Sequence, residues 1–419
     1  MTRISRRTIL LGAAGGSAAL AGTLANRNQA LAQAAGPIRI PYIVAMSGSF
    51  GIIGEPIRIG GEIAQAAINK AGGVNGRPIE LIFRDDKLRP DETVGAVREF
   101  IGQGHRIMVA GLTGPTTFPL MPIMAETKTV LMTTAIGMPV THEAFNRYTF
   151  RCIDNEYQRV RALAQFAADK YPDVKVWGAT MSDTATYRTA YEPFGKLLTP
   201  LLAEKGKTAT FADPILNKLG GNDFRTNVAQ MAGQNLEGVF ALVSGADGVT
   251  FWQQARAFGI GKNLKVVLDQ SIDMGIGKAL RASLPPNLWT IQVWNERLYR
   301  DSPESRALYE AYVERTKETM PSDYIAYATV PVHAIVAALR ATGGSDDPEK
   351  LIPALETIRF ATAKGQAWFR KEDHQAVLDT CMIAREAIAQ DPGIAITDAF
   401  RIPGTALLEP PAPGEAFKI

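Results

Sequence analysis

Cysteine is nearly absent from this 419-residue chain. Cys152 and Cys381 are the only two, too few for a disulfide framework and without the spacing of a metal site. Histidine is scarce too, with His105, His142, His333 and His374 the only imidazole bases available. His333 falls inside an apolar helical stretch, where a core role is the simpler reading, and none of the four stands beside a serine or cysteine nucleophile in sequence. The HExxH, C-x-x-C, G-x-S-x-G and P-loop motifs are missing. Gly275-Ile276-Gly277 is a fragment of a dinucleotide fingerprint that lacks its third glycine, and it reads as the start of a helix. No metal or cofactor is expected.

Positive charge has no cluster either. Arg3, Arg6, Arg7 and Arg27 lie within residues 1–34, which hold no acid, and subtracting those four from the formal charge of +3 leaves −1 for the remainder. A near-neutral chain without a basic run gives no electrostatic reason to expect nucleic acid. The same 34 residues read as a leader. Ser5-Arg6-Arg7 precedes a Gly/Ala-rich apolar run over residues 8–25, and Ala32-Gln33-Ala34 supplies the small residues that signal peptidase requires. Arg6-Arg7 resembles a twin-arginine export signal. A membrane anchor is the alternative, disfavoured by a run that is short and interrupted by glycine. No cysteine follows the cleavage site, so a lipid anchor is not expected, and the mature chain is expected in the periplasm.

What is present is alternation. The length exceeds what one core usually organises, so two lobes are expected. Residues 38–45 read as a buried strand. A helix from about residue 55 to Gly72-Gly73 follows, with Ile57, Ile63, Ala64, Ala67 and Ile68 at helical spacing. Asn75-Gly76 makes a turn into a strand over 78–83 that ends at Asp85-Asp86, which completes a right-handed βαβ unit. Helices over 90–102 and 116–126 and strands over 107–110 and 130–133 extend the pattern. It resumes from 157 to 268, with strands expected over 174–180, 208–212, 238–243 and 265–268. Strands alternating with helices predict parallel sheets covered on both faces.

The helix end AGGVNGRPIEL, the following RDD and the earlier MSGSFGIIG resemble the substrate-binding proteins of branched-chain amino-acid-type ABC transporters. The likeness runs from about residue 38 to 388. It implies the type I periplasmic binding fold: two doubly wound parallel-sheet α/β lobes joined by a three-crossing hinge. The lobes are expected over 35–150 plus 292–377 and 151–291 plus 378–390, with crossings near Cys152, Thr290 and Cys381 and a loosely ordered tail over 391–419. Cys152 and Cys381 are then expected to lie close together, bridged or not. Asp373-His374-Gln375 resembles a signature of the family before the last crossing, which implies a structural role for His374. A disulfide that some relatives carry is not expected, because Lys87 and Gly114 occupy its neighbourhoods.

Ligands of parallel sheets bind beyond the carboxyl ends of the strands, so the candidate residues lie in those loops. The first lobe offers Ser47–Gly51 with Phe50, then Asp85-Asp86, then Thr113–Thr117, then Thr134–Gly137. Pro115 suits a first helical turn, and Thr116 and Thr117 add hydroxyls, so that loop is either an anion site or a helix cap. The resemblance implies that this loop and the next hold a ligand carboxylate, although the serine run of the amino-acid binders is missing and Met138 stands where their threonine is expected. From the second lobe come Tyr187 with Asp183 and Thr184, Ser244 with Asp247, and Asp269 with Gln270. The resemblance implies that Asp269 would pair with a ligand ammonium; capping the next helix is the equal alternative. Trp294 and Phe50 could serve as apolar walls or as core.

The expected function is capture of a small carboxylate, whether amino acid, aromatic or aliphatic acid, by a monomeric periplasmic solute-binding protein that delivers it to an inner-membrane ABC permease. The ligand-binding set is Phe50, Thr116, Thr117, Thr134, Gly137, Tyr187 and Asp269. A ligand sensor on the same fold and an exported enzyme are the rivals from other classes.

Overall fold

The computed structural model describes residues 36–419 except Lys262. The leader expected over 1–34 lies outside them.

Five strands, β1 (Ile38–Val44), β2 (Ile79–Asp85), β3 (Ile107–Val109), β4 (Val130–Thr133) and β5 (Thr149–Arg151), form the first sheet in the order β2-β1-β3-β4-β5, all parallel. The helix Gly51–Lys70 covers it, burying Ile53, Ile57, Ala64 and Ile68 at three- and four-residue spacing. It begins earlier than its periodicity predicts because Gly51 and Gly54 are weak helix formers that hide its first turn. Those glycines serve close approach. A Cβ at Gly54 would lie 1.7 Å from the Ala45 carbonyl oxygen, and one at Gly60 1.8 Å from that of Ile325. The buried helix Thr329–Ala341 comes from far along the chain and shares the core of this sheet.

The second sheet contains β6 (Val176–Ser182), β7 (Thr210–Phe211), β8 (Ile215–Asn217), β9 (Gly238–Leu242), β10 (Val266–Asp269) and β11 (Leu288–Gln292), mutually parallel where they pair. A small antiparallel sheet of β12 (Phe360–Thr362), β13 (Gly365–Phe369) and β14 (Ala376–Val377) precedes β15 (Thr380–Ala387) and β16 (Ile394–Ile402). These last two join the second sheet antiparallel, so it is mixed, not purely parallel, with order β16-β15-β11-β10-β9-β6-β7. The tail is therefore not loose through Ile402: β16 pairs with β15 along its whole length. Pro and Gly in the segment mislead, because its strand character sits in the alternation of residues 394–402 between them.

The chain leaves the first sheet after β5, returns after β11 and crosses again before β15. Both cysteines are buried and free. No disulfide joins them, and their sulfurs have different neighbours. Cys152 Sγ sits 3.7 Å from Met132 Sδ, whereas Cys381 Sγ faces Tyr299 Oη at 3.6 Å, because the two crossings enter different hydrophobic clusters. His374 is a structural residue of the hinge. Its ring stacks on Phe150 with centroids 3.8 Å apart, and its Nδ1 lies 3.1 Å from the Thr149 carbonyl oxygen.

Candidate functional site

Strand ends of both lobes converge on one cleft. From the first lobe come Phe50 and Ile53 at the start of the long helix, Leu112 to Pro115 after β3, Thr134 and Ile136 after β4, and Tyr324 and Tyr327 from the turn before the helix Thr329–Ala341. The second lobe supplies Arg159, Thr184, Thr186 and Tyr187, Leu242 and Ser244 after β9, and Gln270 and Ser271 after β10. They surround about 770 Å³ of space not filled by atoms, part of it open to solvent. A space of that size is on the scale of a small-molecule site.

The lobes meet around this space. A Cβ on Gly245 would come within 2.4 Å of the Ser49 carbonyl oxygen, and one on Gly114 within 2.4 Å of the Thr186 side-chain hydroxyl, so neither glycine leaves room for a side chain where the lobes meet. Arg159 Nη2 also donates to Tyr327 Oη across the cleft at 3.4 Å.

Arg159 is the one charged side chain in the lining. It projects from the first turns of the helix Glu156–Lys170, whose Asn155 caps the Gln158 N–H at 2.9 Å. Its Nε and Nη2 donate to Asp154 Oδ1 at 3.1 and 2.9 Å; among the described residues Nη1 has no partner. Burial works against both charges of this pair, yet the arginine holds the Asp154 carboxyl below its usual range and the carboxylate raises the arginine in turn. Lys364, also buried, acts on the same Asp154. One carboxylate thus faces two cations, and the guanidinium keeps positive charge for the cleft.

The remaining polar groups are neutral. Tyr187 Oη, Ser244 Oγ and Ser271 Oγ form a hydroxyl chain with links of 3.2 and 3.1 Å. Residues 37–391 match the family model described as periplasmic binding protein. The chain belongs to that family.

Its relatives include the leucine-, isoleucine-, valine-, threonine- and alanine-binding protein of Pseudomonas aeruginosa, 24% identical over 343 residues, which span 80% of this chain and 86% of the relative. The Leu/Ile/Val-binding protein of Escherichia coli is 24% identical over 365 residues, 85% and 93% of the two chains. Among solved structures, a solute-binding protein from Rhodopseudomonas palustris in complex with 3,4-dihydroxybenzoic acid superimposes with a TM-score of 0.75 at 20% identity, covering 88% of this chain and 98% of the other. Another from R. palustris, in complex with benzoate, gives 0.73 at 16% identity over 87% and 96%. The two-lobed type I fold is shared by all of these structures.

Within this periplasmic binding protein the sequence candidates separate. Phe50, Thr134 and Tyr187 line the cleft. Thr116 and Thr117 do not: both are fully buried and spend their hydroxyls on Thr113, whose carbonyl oxygen accepts from them at 3.1 and 2.7 Å. They are the last two residues of a helix that is only Gly114–Thr117, and Thr116 completes a capping box with Thr113. Replacing Thr116 by alanine is expected to cost about 0.5–2 kcal/mol of stability in urea titration, while calorimetry shows ligand affinity within about threefold of the parent, a shift below 1 kcal/mol.

Asp269 is not part of the cleft lining, and its Oδ2 has no hydrogen-bond partner among the described residues. It is fully buried, its Oδ1 accepts the N–H groups of Ser271 and Ile272, and burial pushes its carboxyl up to about 7. Gly137 faces a second space behind Thr186, of about 1350 Å³ unfilled by atoms, walled by Phe118, Met138 and Glu156 and roofed by residues 416–419. Asp85 and Asp86 are engaged by backbone: Asp85 accepts the N–H groups of Met46, beyond the end of β1, and of Lys87, both at 2.9 Å, and Asp86 accepts that of Leu88 at 3.0 Å. Trp294 is core.

Arg159 escaped the sequence reading because it looks like a solvated residue in an ordinary helix. A signal exists: it begins the i, i+4, i+7 series with Leu163 and Phe166, so it shares their buried face. Tyr324 and Tyr327 were hidden for a different reason. They precede the helix Thr329–Ala341 rather than follow a strand: Tyr324 lies in a separate turn over Asp323–Ala326 and Tyr327 directly after it.

Proposed function

We propose that this periplasmic binding protein captures a small carboxylate with an apolar or aromatic body between its lobes and delivers it to an ABC permease. The observation that carries this reading is Arg159, a lone cation with an unpartnered Nη1 in a cleft otherwise lined by aliphatic, aromatic and neutral polar groups. A guanidinium matches a carboxylate in charge and in planar geometry. Phe50, Tyr324 and Tyr327 supply faces for the body of the ligand, and Thr134 and Tyr187 supply hydroxyls. The relatives bind amino acids, and two of the structural neighbours hold aromatic acids; a carboxylate is common to both groups. Those relatives are binding proteins, and nothing in the cleft calls for covalent chemistry. Contacts from both lobes favour the closed state, which is how a permease distinguishes loaded from empty protein.

A thermal-shift screen followed by calorimetry tests the reading, with benzoate, hexanoate, leucine and a neutral disaccharide as probes. A carboxylate at a hundred times its dissociation constant should add about 2.7 kcal/mol of stability. Tight binding of the disaccharide with no response to any carboxylate would overturn it.

A further inference from the structure

Gln270 is an uncharged group that lines the cleft just beyond the C-terminal end of β10. It follows Asp269 directly and is 2% exposed. Neither its Oε1 nor its Nε2 has a partner among the described residues. A buried carboxamide left unsatisfied costs free energy comparable to a lost hydrogen bond, so it is a group waiting for one donor and one acceptor. Beside it stands the hydroxyl chain of Ser271, Ser244 and Tyr187, whose members also both donate and accept. No carboxylate lines the cleft, so an ammonium entering it would be desolvated without an anion.

Resting on the carboxylate reading above, we infer that the ligand class is a non-amino carboxylic acid bearing a second, uncharged hydrogen-bonding group, a hydroxyl or amide, which Gln270 recognises and which sets specificity. Arg159 takes the carboxylate, and the carboxamide with its neighbouring hydroxyls satisfies a group that is both donor and acceptor. The same arrangement disfavours α-amino acids relative to their deamino analogues.

Calorimetry on the folded protein tests this with matched probes: benzoate against 2-, 3- and 4-hydroxybenzoate, hexanoate against 6-hydroxyhexanoate, and leucine against 4-methylpentanoate. At least one hydroxy acid should bind about tenfold or more tightly than its parent, and 4-methylpentanoate should bind more tightly than leucine. Gln270→Met, close in volume, should abolish the hydroxyl preference, read as the affinity ratio of each hydroxy acid to its parent acid in the same variant. Gln270→Glu, which keeps the shape but adds an anion, should move the leucine to 4-methylpentanoate ratio toward leucine by about tenfold or more. Parent acids that bind with no hydroxyl preference, or a preference that survives in Gln270→Met, would overturn the inference while the carboxylate reading stands. Failure of every carboxylate to bind would remove both. Should Gln270→Met fail to fold, the Gln270→Glu ratio decides alone, and an unmoved ratio counts against the inference.

Discussion

Replacing Arg159 by alanine is expected to weaken carboxylate binding by about 2–5 kcal/mol, the range for truncating one partner of a buried hydrogen-bonded charge pair. Two effects combine. The ligand loses its only counter-charge in the cleft, and Asp154 Oδ1 loses two donors at 3.1 and 2.9 Å, which leaves the buried Lys364 as the remaining cation acting on that carboxylate. Asp154 retains Thr380 Oγ1 at 3.0 Å, which limits the damage to the hinge. Calorimetry on protein whose folding has been checked by circular dichroism measures the change. Arg159→Lys separates charge from geometry: a lysine keeps the sign but not the fork, and should recover part of the affinity. An alanine variant that folds and binds a carboxylate as tightly as the parent would sink the assignment of Arg159.

The second large effect concerns stability. Arg385 on β15 and Asp323 are both fully buried and joined in an ion pair between the second lobe's sheet and the turn that carries Tyr324 and Tyr327. The other terminal nitrogen of Arg385 donates to the Ile272 carbonyl oxygen at 2.8 Å and to Thr290 Oγ1, while Asn295 Nδ2 donates to the Asp323 carboxylate at 3.1 Å. Burial pushes the Asp323 carboxyl up to about 7, with the arginine's charge opposing the shift. Arg385→Met should therefore lose about 3–5 kcal/mol in chemical denaturation, because it strands the carboxylate. The double variant Arg385→Met with Asp323→Leu should regain much of that loss, since replacing a whole buried pair by apolar groups is often neutral. A single variant within 1 kcal/mol of the parent would show that the pair contributes little.

The alternation of strands and helices was legible because each element has its own local signal: Ile53, Ile57, Ala64 and Ile68 lie at helical spacing, and β3 is an unbroken apolar run. The edge of the second sheet was not legible. Pairing of β15 between β11 and β16 depends on contacts made across nearly a hundred residues, and a Pro/Gly-rich flank masks β16. In the site, residues on loops directly after strands were within reach, which is why Phe50, Thr134 and Tyr187 reached the cleft. The direction of a side chain was not. Thr116 and Asp269 sit in loops of the expected kind but satisfy their own backbone, a competition that Thr and Asp always present and that sequence leaves open. Arg159 and the two tyrosines lie on elements that the strand-end rule does not search.

The interleaving of the lobes bears on how the molecule is made. Strands β1 to β5 emerge from the ribosome first, yet the helix Thr329–Ala341 that shares their core follows nearly two hundred residues later. Strand β11 likewise keeps an open hydrogen-bonding edge until β15 and then β16 are synthesised. Neither lobe is a contiguous stretch that can complete itself while the chain is still growing, so the co-translational, lobe-by-lobe route open to proteins whose domains follow one another along the chain is closed to this one. Until residues 380–387 arrive, the nascent second sheet presents the unpaired edge of β11.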